Sequence, residues 1–122
     1  MHYLPIKRIG HGVNSIEDET LLDFLSKDWR NIHLEICPGS NLALSVFPDW
    51  ESHPLLSIMK KGISFSLNSD DPPFFNATIQ GEYKVMEDLG LNEKQLISLT
   101  HNAIKYSFCD EENKNKLLSK LS

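Results

Sequence analysis

The chain has little of what would stabilise or anchor it from outside. It has two cysteines in 122 residues, Cys37 and Cys109, too few and too far apart for a disulfide framework or a paired-cysteine metal knuckle. No apolar run approaches the roughly 20 residues that span a bilayer, and the N-terminus lacks the apolar core of a signal peptide. A soluble, cytoplasmic protein is therefore expected, with no membrane partner. The 12 Lys and Arg are scattered against 17 Asp and Glu, for a net charge of −5; no basic block offers itself to a phosphate backbone, so nucleic acid is not an expected partner. There is no internal repeat, no low-complexity tract, no His-x-His and no His-Glu-x-x-His. The length suits one domain over residues 1–122.

What is there alternates between strand-like and helix-like periods. Lys7, Arg8 and Ile9 lead as a short strand into Gly10-His11-Gly12. Ser15 offers an N-cap, with Glu17 and Glu19 in the first turn and Leu21, Leu22, Phe24 and Leu25 as the apolar face of a helix. Ile32 to Ile36 reads as a strand that breaks at a loop, Cys37 to Asn41. His53-Pro54 opens a helix that runs to Lys60-Lys61 and stops at Gly62. A third strand follows at once, then helices over Thr78 to Leu89, from a capping box at Asn92 and Gln95 to about Phe108, and over Glu111 to Leu121. This order predicts an α/β fold with parallel strands and outer helices.

The stretch Ile63 to Pro73 is the most informative. Ile63, Phe65 and Leu67 alternate with Ser64, Ser66 and Asn68, and Pro72 and Pro73 forbid continuation of the ladder. Asp70 and Asp71 thus stand at a strand end. Adjacent like charges are tolerated in water, beside a cation, or when hydrogen-bonded; on this stretch alone a solvated turn is the better account of them. In a parallel sheet the ligand site lies beyond the carboxyl ends of the strands, where His11, the Cys37 to Asn41 loop and the two aspartates all fall. A carboxylate and an imidazole there suit a divalent metal or shared acid–base work. The other histidines have structural explanations: His2 is terminal, His33 lies in a strand, His53 starts a helix and His101 lies within one.

Arg8-Ile9-Gly10-His11-Gly12, Glu35-Ile36-Cys37-Pro38 with Ser40-Asn41, His53-Pro54-Leu55 and Asn68-Ser69-Asp70-Asp71-Pro72, in that order, resemble the final third of the adenosine and adenine deaminases. The resemblance runs from about Lys7 to the C-terminus. It implies the last three strands and C-terminal helices of an incomplete (β/α)8 barrel, a catalytic Zn²⁺, and hydrolytic removal of the purine 6-amino group from a purine nucleoside. His11 matches the histidine that orients and deprotonates the metal-bound water, Asp70 the metal ligand at the end of the last strand, and Asp71 the neighbour that hydrogen-bonds the purine. Gly10 before His11 and the Glu82-Tyr83 pair resemble the adenosine branch; adenine is the alternative substrate.

The family's His-x-His, third histidine ligand and His-Ala-Gly-Glu motif are not in this chain, and a full barrel takes about 250 residues. The chain by itself is therefore expected to be inactive, to expose two sheet edges and an apolar inner face, and to need a chain supplying the missing barrel half, or self-association. The other readings are a non-catalytic remnant or oligomeric scaffold, and an unrelated small α/β binding domain with Mg²⁺ on Asp70 and Asp71.

Overall fold

The computed structural model describes residues 6–27, 32–75 and 77–121; His2 lies outside them. Three short parallel strands, β1 (Arg8–Gly10), β2 (His33–Ile36) and β3 (Ser64–Leu67), form a sheet in the order β1-β2-β3. Parallel neighbours need crossovers. These carry α1 (Glu19–Leu25) between β1 and β2, and α2 (Pro38–Ala43) and α3 (Leu55–Lys60) between β2 and β3. Beyond β3 come α4 (Pro72–Phe75), α5 (Ile79–Asp88), α6 (Glu93–Lys105) and α7 (Glu111–Ser119). None of these helices is long and apolar enough to cross a membrane.

The register sorts the sheet into two faces. Ile9, Leu34 and Phe65 stand abreast, as do Ile36 and Leu67, and this face packs on the helices: Leu34, Ile36 and Phe65 share a core with Leu22, Leu55, Ile58, Met86 and Leu99, each no more than 1% exposed. The other face carries the rows Arg8–His33–Ser64 and Gly10–Glu35–Ser66. It is polar, which overturns the expected apolar inner face. The alternation in Ile63–Leu67 fits either arrangement; the register decides, because the hydrophobic members of all three strands point to the helices.

Three local departures from the sequence reading have identifiable causes. Ser15 does not cap the first helix: Val13–Glu17 coil into a 3-10 turn with Ser15 buried, and Asp18, in extended backbone, caps α1 by accepting the Leu21 N–H at 3.0 Å. The Cys37 to Asn41 loop is largely helix, because Pro38 takes the first position of α2, where its fixed φ suits the turn and its missing N–H costs nothing. α6 starts at its capping box, with Asn92 and Gln95 exchanging two bonds of 2.9 Å, but ends at Lys105. There Tyr106 turns to stack on His33, with centroids 4.7 Å apart, while its carbonyl accepts from Arg8 at 2.7 Å.

His33 is fully buried between the Ser64 and Ser66 hydroxyls, at 2.9 and 3.0 Å. Burial, helped by the Arg8 guanidinium and opposed by Glu35, lowers its pKa to about 4; burial also lowers that of His53 to about 4. The unfolded chain takes up these protons below about 6.5 and the folded chain only below about 4. Stability should therefore be highest above pH 6.5 and fall as pH drops toward 4, by up to about 1.4 kcal/mol per pH unit for each histidine. Urea midpoints measured between pH 7 and 4.5 should show this fall, and His33→Gln should make it shallower; an unchanged slope would show that His33 is not held neutral.

Candidate metal centre and active site

The backbone ladder runs one step past each strand end. The His11 N–H donates to the Glu35 carbonyl at 2.8 Å and the Asn68 N–H to the Ile36 carbonyl at 2.9 Å. The first bond fixes where β1 turns, and the turn itself is left-handed: His11 has φ 58° and Gly12 φ 73°. Glycine is required at the second position twice over, since a Cβ on Gly12 would sit 2.8 Å from Leu34 Cδ2 in addition to the backbone strain. Asp70, at φ 60°, adopts the same conformation after β3. Two non-glycine residues in this region at facing strand ends are the kind of local strain that functional sites hold.

These turns bring two of the sequence-predicted residues together. His11 Nε2 lies 3.6 Å from Asp70 Oδ2, and both side chains are partly exposed. Ser40, from the first turn of α2, donates its hydroxyl to the same Asp70 oxygen at 2.7 Å. The cleft they border has a volume of about 420 Å³, with Gly10, Glu35, Cys37, Asn68 and Ser69 also in its wall. Asp71 follows at an exposed position, and among the described residues no hydrogen bond or ion pair engages its carboxylate. The structure does not gather it into the His11–Asp70 contact.

Electrostatics divide the neighbouring groups. His11, Cys37 and Asp70 each offer one ligand atom, all within 4.8 Å of one another. The Cys37 thiol, however, donates to the Glu35 carbonyl at 3.6 Å and is pushed up to about 12, first by burial and then by the charges of Asp70, Glu82 and Glu35. It stays protonated at neutral pH and is no nucleophile. The Glu35 carboxylate is occupied by the Arg8 guanidinium, which also lies over the Phe108 ring. Asp70, oriented by a hydroxyl and facing an imidazole, is the carboxylate suited to a cation: an oxygen ligand fixed by an outer hydrogen bond is how protein sites hold divalent metals. A catalytic zinc takes about three protein ligands, so these residues fit part of such a site.

Three contributors stand in the motifs that carry the resemblance without a chemical role assigned to them there. Ser40 and Asn41 are buried polar residues in a stretch that reads as a loop, and His53 reads as a helix start. His53 Nε2 lies 3.0 Å from Asn41 Oδ1, and Asn41 Nδ2 lies 3.4 Å from His11 Nδ1. Their burial and their bonds, which sequence does not report, show what they do. Glu82, 3% exposed and with its pKa raised by burial, turns to the Gly39 N–H at 3.1 Å, against the opposition of that bond. It supports α2, and a Cβ on Gly39 would collide with its carboxylate.

The sequence model of the family described as adenosine deaminase matches residues 1–122. An adenine deaminase of Rhizobium meliloti (strain 1021) is 44% identical over 115 residues, which are 93% of this chain and 35% of that protein. Among solved structures, the adenine deaminase from Arthrobacter aurescens superposes with a TM-score of 0.89 at 27% identity, over 95% of this chain and 35% of that one. The N6-methyl-AMP deaminase from Arabidopsis thaliana does so with a TM-score of 0.80 at 26% identity, over 96% and 34%. The chain thus spans about a third of the length of the proteins it matches. The likeness rules out an unrelated small α/β domain.

The protonated state of Cys37 has a direct check. On treatment of the folded chain with iodoacetamide at pH 7, exposed Cys109 should be alkylated at least about tenfold faster than buried Cys37, as thiolate availability and access dictate. Equal rates by mass spectrometry would place a reactive thiolate in the cleft.

Proposed function

The chain belongs to the adenosine deaminase family, as its C-terminal portion, and from this we propose that it supplies one wall of a metal-dependent site that hydrolyses the 6-amino group from a purine. Its three parallel strands and their helices are βα units of a (β/α)8 barrel, and the cleft lies at the carboxyl ends, where such barrels place their chemistry. The observation that carries the reading is the contact of His11 Nε2 with an Asp70 oxygen that Ser40 holds in place.

In this reading Asp70 holds Zn²⁺ together with ligands from the rest of the barrel. When bound, the metal supplies a Lewis acid that makes water a nucleophile near neutral pH. The chain's residues do the remaining work on this side of the cleft. Ser40 keeps one Asp70 oxygen aimed, His11 presents Nε2 to the attacking water, and Asp71, exposed beside the cleft, accepts a hydrogen bond from the purine ring. Activity then requires a partner segment carrying the other ligands and the glutamate of the His-Ala-Gly-Glu motif.

The names of the curated relatives support adenine as the purine. Adenosine is the second reading, favoured by Gly10 before His11 and by the Glu82-Tyr83 pair. Of these, Glu82 is buried against Gly39, so it bears on the substrate only through α2.

The test is to combine the chain with the upstream barrel portion of a relative, then measure bound zinc and the turnover of adenine and adenosine. Zinc should bind to the assembly, with faster turnover of adenine. Asp70→Ala should lose metal and activity together. His11→Gln should lower kcat by about 10²- to 10⁴-fold with zinc retained, and Asp71→Ala should act mainly on KM. A zinc-loaded assembly inert to both purines would overturn the reading.

A further inference from the structure

The hydrogen-bond chain behind His11 can be followed back to a fixed point. That point is the Leu55 backbone N–H, at the start of α3, which donates to His53 Nδ1 at 3.2 Å. A backbone N–H has no alternative polarity, so it sets the direction of everything attached to it. With Nδ1 accepting, neutral His53 carries its proton on Nε2 and donates it to Asn41 Oδ1 at 3.0 Å. That fixes the Asn41 amide: its oxygen is taken by His53, so the group facing His11 Nδ1 at 3.4 Å is the NH₂. An NH₂ can only donate, so His11 Nδ1 must accept. We infer that Asn41 and His53 are positioning residues that hold His11 as its Nε2–H tautomer, with the N–H pointing toward Asp70 Oδ2 and the cleft.

The surroundings keep this direction from reversing. Asn41 is 3% exposed and His53 6%, so neither amide nor ring has free water to bond with after a flip, and a flip would leave a buried donor facing a donor. The Phe47 ring lies 5.0 Å from that of His53 and adds a wall on one side. Burial holds the His53 pKa near 4, so the ring has a single N–H at neutral pH. The 3.4 Å link to His11 is the longest in the chain and the one a substitution will break first.

The consequence for catalysis rests on the deaminase reading of the same cleft. A neutral His11 with its proton on Nε2 is a hydrogen-bond donor to the attacking water or to Asp70. It orients the nucleophile, and proton abstraction at Nε2, which the family resemblance implies, is not open to it in this tautomer.

The test reads the tautomers directly, by long-range proton–nitrogen correlation NMR on the folded chain labelled with ¹⁵N-histidine, with His11→Gln and His53→Gln spectra assigning the signals. The parent chain should show both His11 and His53 protonated on Nε2, with an unprotonated Nδ1 that accepts. In Asn41→Asp, the new carboxylate accepts from both rings, so His11 should shift to the Nδ1–H form while His53 is unchanged. A parent His11 that is Nδ1–H or divided between tautomers, or one that keeps its tautomer in Asn41→Asp, would overturn the inference. The parent spectrum alone decides it if the variant does not fold. Purine turnover plays no part in the readout, so a failed deaminase assay leaves this result standing, and the reverse holds too.

Discussion

The site depends on the parallel register of the strands and on the two backbone bonds that carry it past their ends. Arg8, His33 and Ser64 stand abreast at one end; at the other, the His11 N–H on Glu35 and the Asn68 N–H on Ile36 close the ladder. A slip of one residue in any strand would exchange its polar and apolar faces, burying Glu35 or His33 against Leu22 and Leu99. That penalty fixes the register, and the register puts His11 opposite Asp70. The left-handed turns at both residues are tolerated because the ladder leaves the chain no other exit from the strand.

Much of this was legible in the sequence. Period-2 runs marked β2 and β3, the lead-in to Gly10 marked β1, apolar spacing marked α1 and α5, Pro54 and Gly62 bracketed α3, and the Asn92–Gln95 pair marked the start of α6. His11 and Asp70 could be singled out because the strand order puts both at the carboxyl ends of strands and their motifs resemble those of the deaminases. What was not legible came from tertiary competition. Ser15 is an acceptable cap until it is buried and Asp18 takes the bond. Cys-Pro-Gly-Ser-Asn looks like a loop until the Glu82 carboxylate arrives from 43 residues away to bind the Gly39 N–H. Ser40, Asn41 and His53 stand in the motifs of the resemblance, but their roles follow from burial and from their bonds.

The cleft combines two kinds of polar group. Behind it burial keeps groups uncharged: the Cys37 thiol in its wall and His53 behind Asn41 are both moved toward their neutral forms, as is His33 at the far end of β2. The ion pair of Arg8 and Glu35 neutralises itself within the sheet. Asp70 and Asp71 stand at the open edge, where water or a cation can meet their charge. A neutral, hydrogen-bonded surround with charge only at the edge lets a cation be bound by a few ligands without competing ones nearby.

The polar face of the sheet has a further consequence for whatever completes the structure. What is partly open on that face is the Arg8–Glu35 guanidinium–carboxylate pair and the Ser64 hydroxyl, while His33 and Ser66 are buried; such groups reward only neighbours placed at the right angle and distance. Grease on grease would accept many neighbours; this face discriminates among them. A polar face of this kind contributes direction to a contact more than area, because hydrogen-bonding groups count only when their geometry is met.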